Sequence, residues 1–251
     1  MQPEFLNRRA KPGGDWWRLP SGLDSREAAL SGAGGFWQHA WVARYALLNG
    51  LGYTIELSLI VIVIGTGIGA LGGVCLKYGA LPLRLLVRAY VDVLRGIPVL
   101  VLIFASFYGL ALVGLDISAF LGGVVALSAF CGAHMSETIR GAIDSIPLGQ
   151  TEAAKAIGLR PWQRLWYVVL PQAVRRILPP WVNTAVEMVK ASTLLSVIGV
   201  VELLLATQQV ISRTYMVIPF YLMAGAIYLV LNFTISQLGA ALERRFAYLR
   251  Y

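Results

Sequence analysis

Ionisable side chains stand inside apolar runs of this chain, where they are expensive and therefore informative. His134 and Glu137 lie three residues apart, with Gly141 farther along the same helical face. An imidazole and a carboxylate so placed could line one cavity and contact a polar solute passing through it. Arg140, three residues beyond Glu137, offers a competing arrangement in which the two pair and anchor a helix at a membrane boundary. Glu187 and Lys190 repeat that spacing, and a structural ion pair is the simpler expectation for them. Glu56 and Glu202 are expected near an outer boundary, solvated or touching a soluble partner. None of this is bond-breaking chemistry. The chain has no GxxxxGK[ST] run for nucleotide phosphates, no His/Cys/acid cluster at metal-ligand spacing and no acyl-transfer constellation. Cys75 and Cys131 fall inside apolar runs and read as small buried side chains. No cofactor is expected on this chain.

Composition says what must position those groups. Of 251 residues, 57% are hydrophobic and 14% charged, with a mean hydropathy of +0.68. Soluble domains carry roughly a quarter charged residues, so this balance points to the bilayer. The net charge of +8 fits basic loops facing anionic lipid and a cytoplasm. Nucleic acid is not an expected partner, because the Lys and Arg sit between apolar runs. Residues 1–34 hold charges, Pro and Gly without a continuous apolar core, so no secretory signal is read there.

The expected fold class is all-α and integral to the membrane, a bundle of five spans at about 51–76, 97–115, 119–143, 181–205 and 219–241. Residues 1–48 form a tail and an interfacial helix over 36–48, marked by Trp16, Trp17, Trp37 and Trp41. The membrane-embedded body covers 49–245, and 246–251 is a basic end. Gly65, Gly69 and Gly73 fall every four residues and form a stripe that lets another helix approach closely. The segment 77–95 suits an interfacial helix with Arg88 and Asp92 paired at i,i+4. Pro179 and Pro180 are expected to break the chain before the fourth span. Residues 207–216 are a candidate outer loop or lid. Lys and Arg concentrate at 77–95, 140–176 and 244–250, which puts the C-terminus in the cytoplasm and the N-terminus outside, although the tail carries basic residues of its own.

Between the third and fourth spans lies a polar, basic island at 147–171. Strong helix formers fill 151–157, Gly158 can take the positive φ that closes a helix, and Pro161 suits the first turn of another. Leu170-Pro171 is expected to stop that second helix. The outcome would be a cytoplasmic helix-turn-helix elbow with small Ala153 and Ala154 near its surface and Glu152 near a helix start. Docking into a cleft of another protein and a plain topogenic loop remain equally open on spacing alone.

The order Glu152-Ala153-Ala154, Gly158, Val168 and Leu170-Pro171 resembles the EAA loop of permease subunits in bacterial ATP-binding-cassette importers. Further stretches are similar to the polar amino-acid permeases of the histidine/glutamine/glutamate type. They are Arg95-Gly96-Ile97-Pro98, the run from Ser136 to Ile143, Pro147 with Gly149-Gln150, Leu170 to Ala173, Leu178-Pro179-Pro180, Asn183, and Lys190 to Leu203. The likeness covers about 48–245. Leu102, Ala191 and His134 depart from residues common in that family, and Val168 replaces its usual Ile. The resemblance implies a type I importer permease in a bacterial inner membrane, forming the translocation path for a polar amino acid. Glu152, Ala153, Ala154, Gly158, Leu170 and Pro171 would couple it to a separate ATPase subunit, which holds the ATP and Mg. A second permease, identical or homologous, and an extracytoplasmic substrate-binding protein complete the implied partners.

Two other classes compete. A secondary transporter driven by an ion gradient would show repeated halves with interrupted helices at matching positions, and five spans do not divide that way. A channel subunit is suggested only by the glycine stripe.

Overall fold

The computed structural model describes residues 25–247, with side chains described for 35–245. The expectations for Trp16 and Trp17 and for the basic end at 248–251 lie outside the described residues. The chain divides into two units, 1–42 and 43–251, and the second holds the helix bundle.

Every regular element among the described residues is helical. Helix α1 runs Ser25–Tyr78 and continues without a break at 48–51, so the separate interfacial helix expected over 36–48 is part of the same element as the first span. Helices α2 (Leu81–Gly96) and α3 (Val99–Leu112) meet at a bend of 108°. At 1.5 Å per residue α3 alone reaches only about 21 Å, short of a hydrocarbon core of about 30 Å. The second span expected at 97–115 is therefore a helix too short to cross alone, and it reaches spanning length only with α2. Pro98 at the cap and the extended backbone of Ile97 explain the break. A turn closed by Gly114 at φ 82° leads to α4, Ala119–Asp144, whose first turn is capped by the Ser118 hydroxyl accepting from Leu121 N–H.

The packing of α1 on α4 follows from the glycine stripe. A Cβ at Gly65 would lie 2.5 Å from Cys131 Cβ, one at Gly69 2.2 Å from Met135 Cβ, and one at Gly73 2.7 Å from Ile139 Cβ. Successive glycines meet successive turns of α4 in the same sense, so the two helices run parallel. Trp181, on a helix later in the chain, donates its indole N–H to Thr66 Oγ1 at 2.9 Å and ties a third helix to this pair.

Beyond α4 come α5 (Leu148–Ala156), α6 (Pro161–Arg164), a π-helical turn (Leu165–Val169) and α7 (Leu170–Ala191). Two expectations fail here. Leu170-Pro171 does not stop a helix, and Pro179-Pro180 does not break one. Pro171 lacks an N–H and its ring crowds the carbonyls one turn back. The wider π turn just before it, with Leu170 N–H donating to Leu165 O, moves those carbonyls out of the way. After α7 the chain tightens into a 3-10 turn, Ser192–Ile198, and leaves it at Gly199 with φ 87°. Helix α8 (Leu203–Thr214) follows, then α9 (Val217–Ala247). The fourth span expected at 181–205 is thus two helices set at 50°. The candidate lid at 207–216 is mostly helix α8.

Among the described residues, three helices are long and apolar enough to cross a membrane: 35–78, 119–144 and 217–245. The two bent pairs reach that standard only when each pair is taken together. Leu57, Leu127, Met135, Met188 and Leu195 are fully buried between the helices, whereas much of α9 shows apolar side chains outward, Leu222, Leu229 and Phe233 among them. That inversion suits a bundle solvated by lipid.

Candidate functional site

The basic end of the bundle carries the island. Helix α5 closes in a Schellman motif: Gly158 N–H donates to Lys155 O and Leu159 N–H to Ala154 O, with Gly158 at φ 82°. Pro161 then opens α6, and Gln163 Oε1 accepts from Arg160 N–H at 2.9 Å, fixing its start. Gln172 Nε2 of α7 donates to Gln150 Oε1 of α5 at 3.4 Å, and Arg176 Nη1 of α7 donates to Ser145 O at the end of α4 at 2.5 Å.

Within this pair the candidate coupling residues separate. Ala154 is buried, while Glu152 and Ala153 are exposed. Gly158 is the turn, with open space where a Cβ would stand. Leu170 and Pro171 lie past the π turn, in the first turn of α7. Leu148, Ile157 and Trp162 are 78%, 77% and 65% exposed. Large apolar side chains on an otherwise polar loop form a contact surface that none of the described residues covers.

One turn of helix away, an ion network joins α1, α2 and α4. Asp144 takes Lys77 and Arg140, and Glu137 takes Arg140 and, at 3.2 Å, Arg88. Arg88 also reaches Asp92 at 3.9 Å, the i,i+4 pair expected from spacing. Glu137 is thus engaged with two guanidinium groups. His134 is half-buried, its Nδ1 3.2 Å from Phe130 O and its ring 4.4 Å from that of Phe130.

Glu187 and Lys190 are a correction. No ion pair within 4.0 Å joins them among the described residues, and both are exposed on α7. Asn183, one turn before Glu187, is exposed on the same face. Because each side chain looks out of the chain rather than into it, no burial forces the two charges together.

Glu202 is the other correction. It is fully buried rather than solvated. Its carboxylate caps α8, accepting from Leu204 N–H at 2.8 Å and Leu205 N–H at 2.9 Å, and it also accepts from Tyr228 Oη at 2.6 Å. Thr54 Oγ1 accepts from Leu203 N–H at 3.1 Å, so the start of α8 is tied to both α1 and α9. The sequence signal was slight: Glu is an uncommon N-cap, and Tyr228, its partner on α9, is twenty-six residues on. Glu56, by contrast, is exposed.

A family described as binding-protein-dependent transport system inner membrane component matches residues 62–248. The glutamine transport system permease protein GlnP of Escherichia coli (strain K12) is 32% identical over 83% of this chain and 96% of its own length. The L-cystine transport system permease protein TcyB of Bacillus subtilis (strain 168) is 34% identical over 79% of this chain and 86% of its own. The probable amino-acid ABC transporter permease protein YckA of the same organism is 29% identical over 84% and 96%. Among solved structures, an amino acid ABC transporter crystallised with histidines superimposes with a TM-score of 0.76 at 34% identity, covering 80% of this chain and 94% of that one. The inward-facing MetNI methionine transporter has the same fold, with a TM-score of 0.69 at 22% identity over 80% and 96%. The helical architecture of this chain therefore coincides with that of importer permeases, and the chain belongs to the binding-protein-dependent transport system inner membrane component family.

Proposed function

We propose that this chain is the membrane-spanning subunit of an ATP-driven importer of polar amino acids, crossing a bacterial inner membrane five times with each bent pair counted as one span. The N-terminus is outside and the C-terminus in the cytoplasm, in keeping with the Lys and Arg gathered at the island's end. The observation that carries the reading is the α5–α6 turn, where Glu152, Ala153, Ile157 and Trp162 are all exposed on two short helices joined by a hydrogen-bonded turn at Gly158. A separate ATPase subunit, holding ATP and Mg, takes that surface in its cleft. Its motion passes across the Gly158 turn into α6, and from Pro161 through the π turn and Pro171 into α7 the helix is unbroken.

The path is shared with a second permease, identical or homologous. Asn183, Glu187 and Lys190 support this, since lipid would be a costly neighbour for a charged face about 10 to 20 Å along α7 from Arg176. Glu137 and His134 belong in this reading to the inner rim of that path. An extracytoplasmic binding protein delivers the substrate, and amino acids are the class named for the relatives.

Uptake in vesicles discriminates the classes. Import that stops on ATP depletion and persists with a proton uncoupler supports the proposal. The reverse would indicate an ion-gradient-driven secondary transporter, and flux surviving both would indicate a channel. Glu152→Lys tests the docking surface: the variant should lose copurification with the ATPase while expressing normally.

A further inference from the structure

A cavity of about 400 Å³ opens between the end of α1, the first turns of α2 and the end of α4. Its walls carry Lys77, Arg84, Arg88 and Arg140 against one carboxylate, Asp144, with Leu76 and Leu85 as apolar lining. Three of the four cations are committed elsewhere: Lys77 and Arg140 to Asp144, Arg140 and Arg88 to Glu137. Arg84 is exposed and makes no ion pair within 4.0 Å among the described residues. An unpaired guanidinium over a cavity with excess positive charge is complementary to an oxyanion, and phosphate suits its forked donors.

The surroundings choose the carrier of that phosphate. Leu81, Leu83 and Leu86 on the first turns of α2 are 58%, 51% and 68% exposed, and Tyr78 just before them is 50% exposed. Cations framed by outward leucines and a tyrosine match the boundary where headgroups meet acyl chains. A site for a free aqueous anion has no use for that frame.

We propose that this cavity binds the phosphate of an anionic phospholipid, of the phosphatidylglycerol type, with Arg84 closing on the phosphate and Lys77 beside it. The acyl chains lie along Leu81, Leu83 and Leu86. The site rests on the chain being a membrane protein and not on what it transports, so its test needs no transport measurement.

The full chain, purified with the ATPase subunits that accompany it, is extracted from membranes holding phosphatidylglycerol and phosphatidylcholine together, and native mass spectrometry reads the retained lipid. Phosphatidylglycerol should be retained in preference to phosphatidylcholine. Arg84→Gln should lower that retention about fivefold, the share of one surface cation, and Arg84→Lys should restore most of it. Because Arg84 is unpaired, the melting temperature of Arg84→Gln in phosphatidylcholine nanodiscs should equal that of the parent chain. Equal retention of the two lipids would overturn the proposal, as would retention unchanged in Arg84→Gln. Displacement of the lipid by millimolar inorganic phosphate alone would also overturn it, since the site would then be one for a free anion.

Discussion

Gly69 of α1 lies so close to Met135 of α4 that a Cβ added to it would stand 2.2 Å from the methionine Cβ and 3.0 Å from its carbonyl carbon. Backbone, rather than a flexible side-chain end, stands in the way, so the helices must separate to admit any side chain. Gly67, two residues earlier on the opposite side, has nothing within 4 Å. Gly69→Val should therefore destabilise the bundle by at least the 1–3 kcal/mol typical of overpacking, a drop of roughly 2–12 °C or loss of folded protein on extraction, whereas Gly67→Ala should not lower it. Thermal melts of the two variants in one detergent separate them; equal melting would mean that α1 and α4 are not packed on this stripe.

The Glu202 carboxylate satisfies two backbone N–H groups and the Tyr228 hydroxyl at a fully buried position. Glu202→Ala would orphan all three donors, at a cost of roughly 1–3 kcal/mol for each group left buried without a partner. Glu202→Gln keeps an acceptor and should recover much of the loss. Tyr228→Phe removes one donor along with its hydroxyl and should cost about 1 kcal/mol. Denaturation of the four chains should follow that order, with alanine the weakest.

Gly158 holds φ at 82° in the Schellman motif between α5 and α6, with open space around it. A side chain meets no clash there but is strained by the left-handed backbone, at about 1–2 kcal/mol. Gly158→Ala should thus leave the membrane bundle intact and perturb the short helices alone. The expected result is normal expression and melting with weakened ATPase association, and Gly158→Asn should be milder because Asn tolerates this region. Pull-down of the ATPase subunit against each variant measures it.

Glu187 and Lys190 face outward from α7 without pairing to one another. Glu187→Gln should therefore change little in stability while altering uptake, either in apparent affinity or in the preferred charge of the amino acid carried. A structural ion pair would behave in the opposite way, with melting lowered and substrate preference untouched. Glu137→Gln, which frees Arg88 and Arg140 from a shared carboxylate, should loosen α2 from α4 and reduce transport. Uptake at parental rate and affinity in that variant would remove Glu137 from the path.

Much was legible from local pattern. Apolar runs of sufficient length marked α1, α4 and α9, because hydropathy summed over one helix decides whether it can cross lipid. The stripe at Gly65, Gly69 and Gly73 announced a close helix contact, and the turn at Gly158 followed from the residue types around it. The Arg88–Asp92 pair follows from spacing on one helix. The order of Glu152, Ala153, Ala154 and Gly158 was enough to suggest the family.

What stayed hidden depended on partners far away in the chain. Pro171 and Pro179-Pro180 looked like helix breakers because propensity treats each residue alone, yet a π turn and packing on α4 and α9 carry the helix through them. The bend after α7 divides what hydropathy reads as a single span at 181–205, since an apolar average does not record the direction of the axis. Glu202 reads as a solvated outer acid because its burial comes from remote segments, α9 with Tyr228 twenty-six residues on and α1 with Thr54 beside Leu203. Glu187 and Lys190 have a spacing that permits a bond, but only the rest of the bundle sets which way their helix face turns. Periodicity and composition are sums over neighbours in sequence, and they showed which segments are apolar enough to cross and what solvent they need. Which charges meet, which face is left open and where an axis bends are set by contacts between segments, and those exist only once the chain has folded.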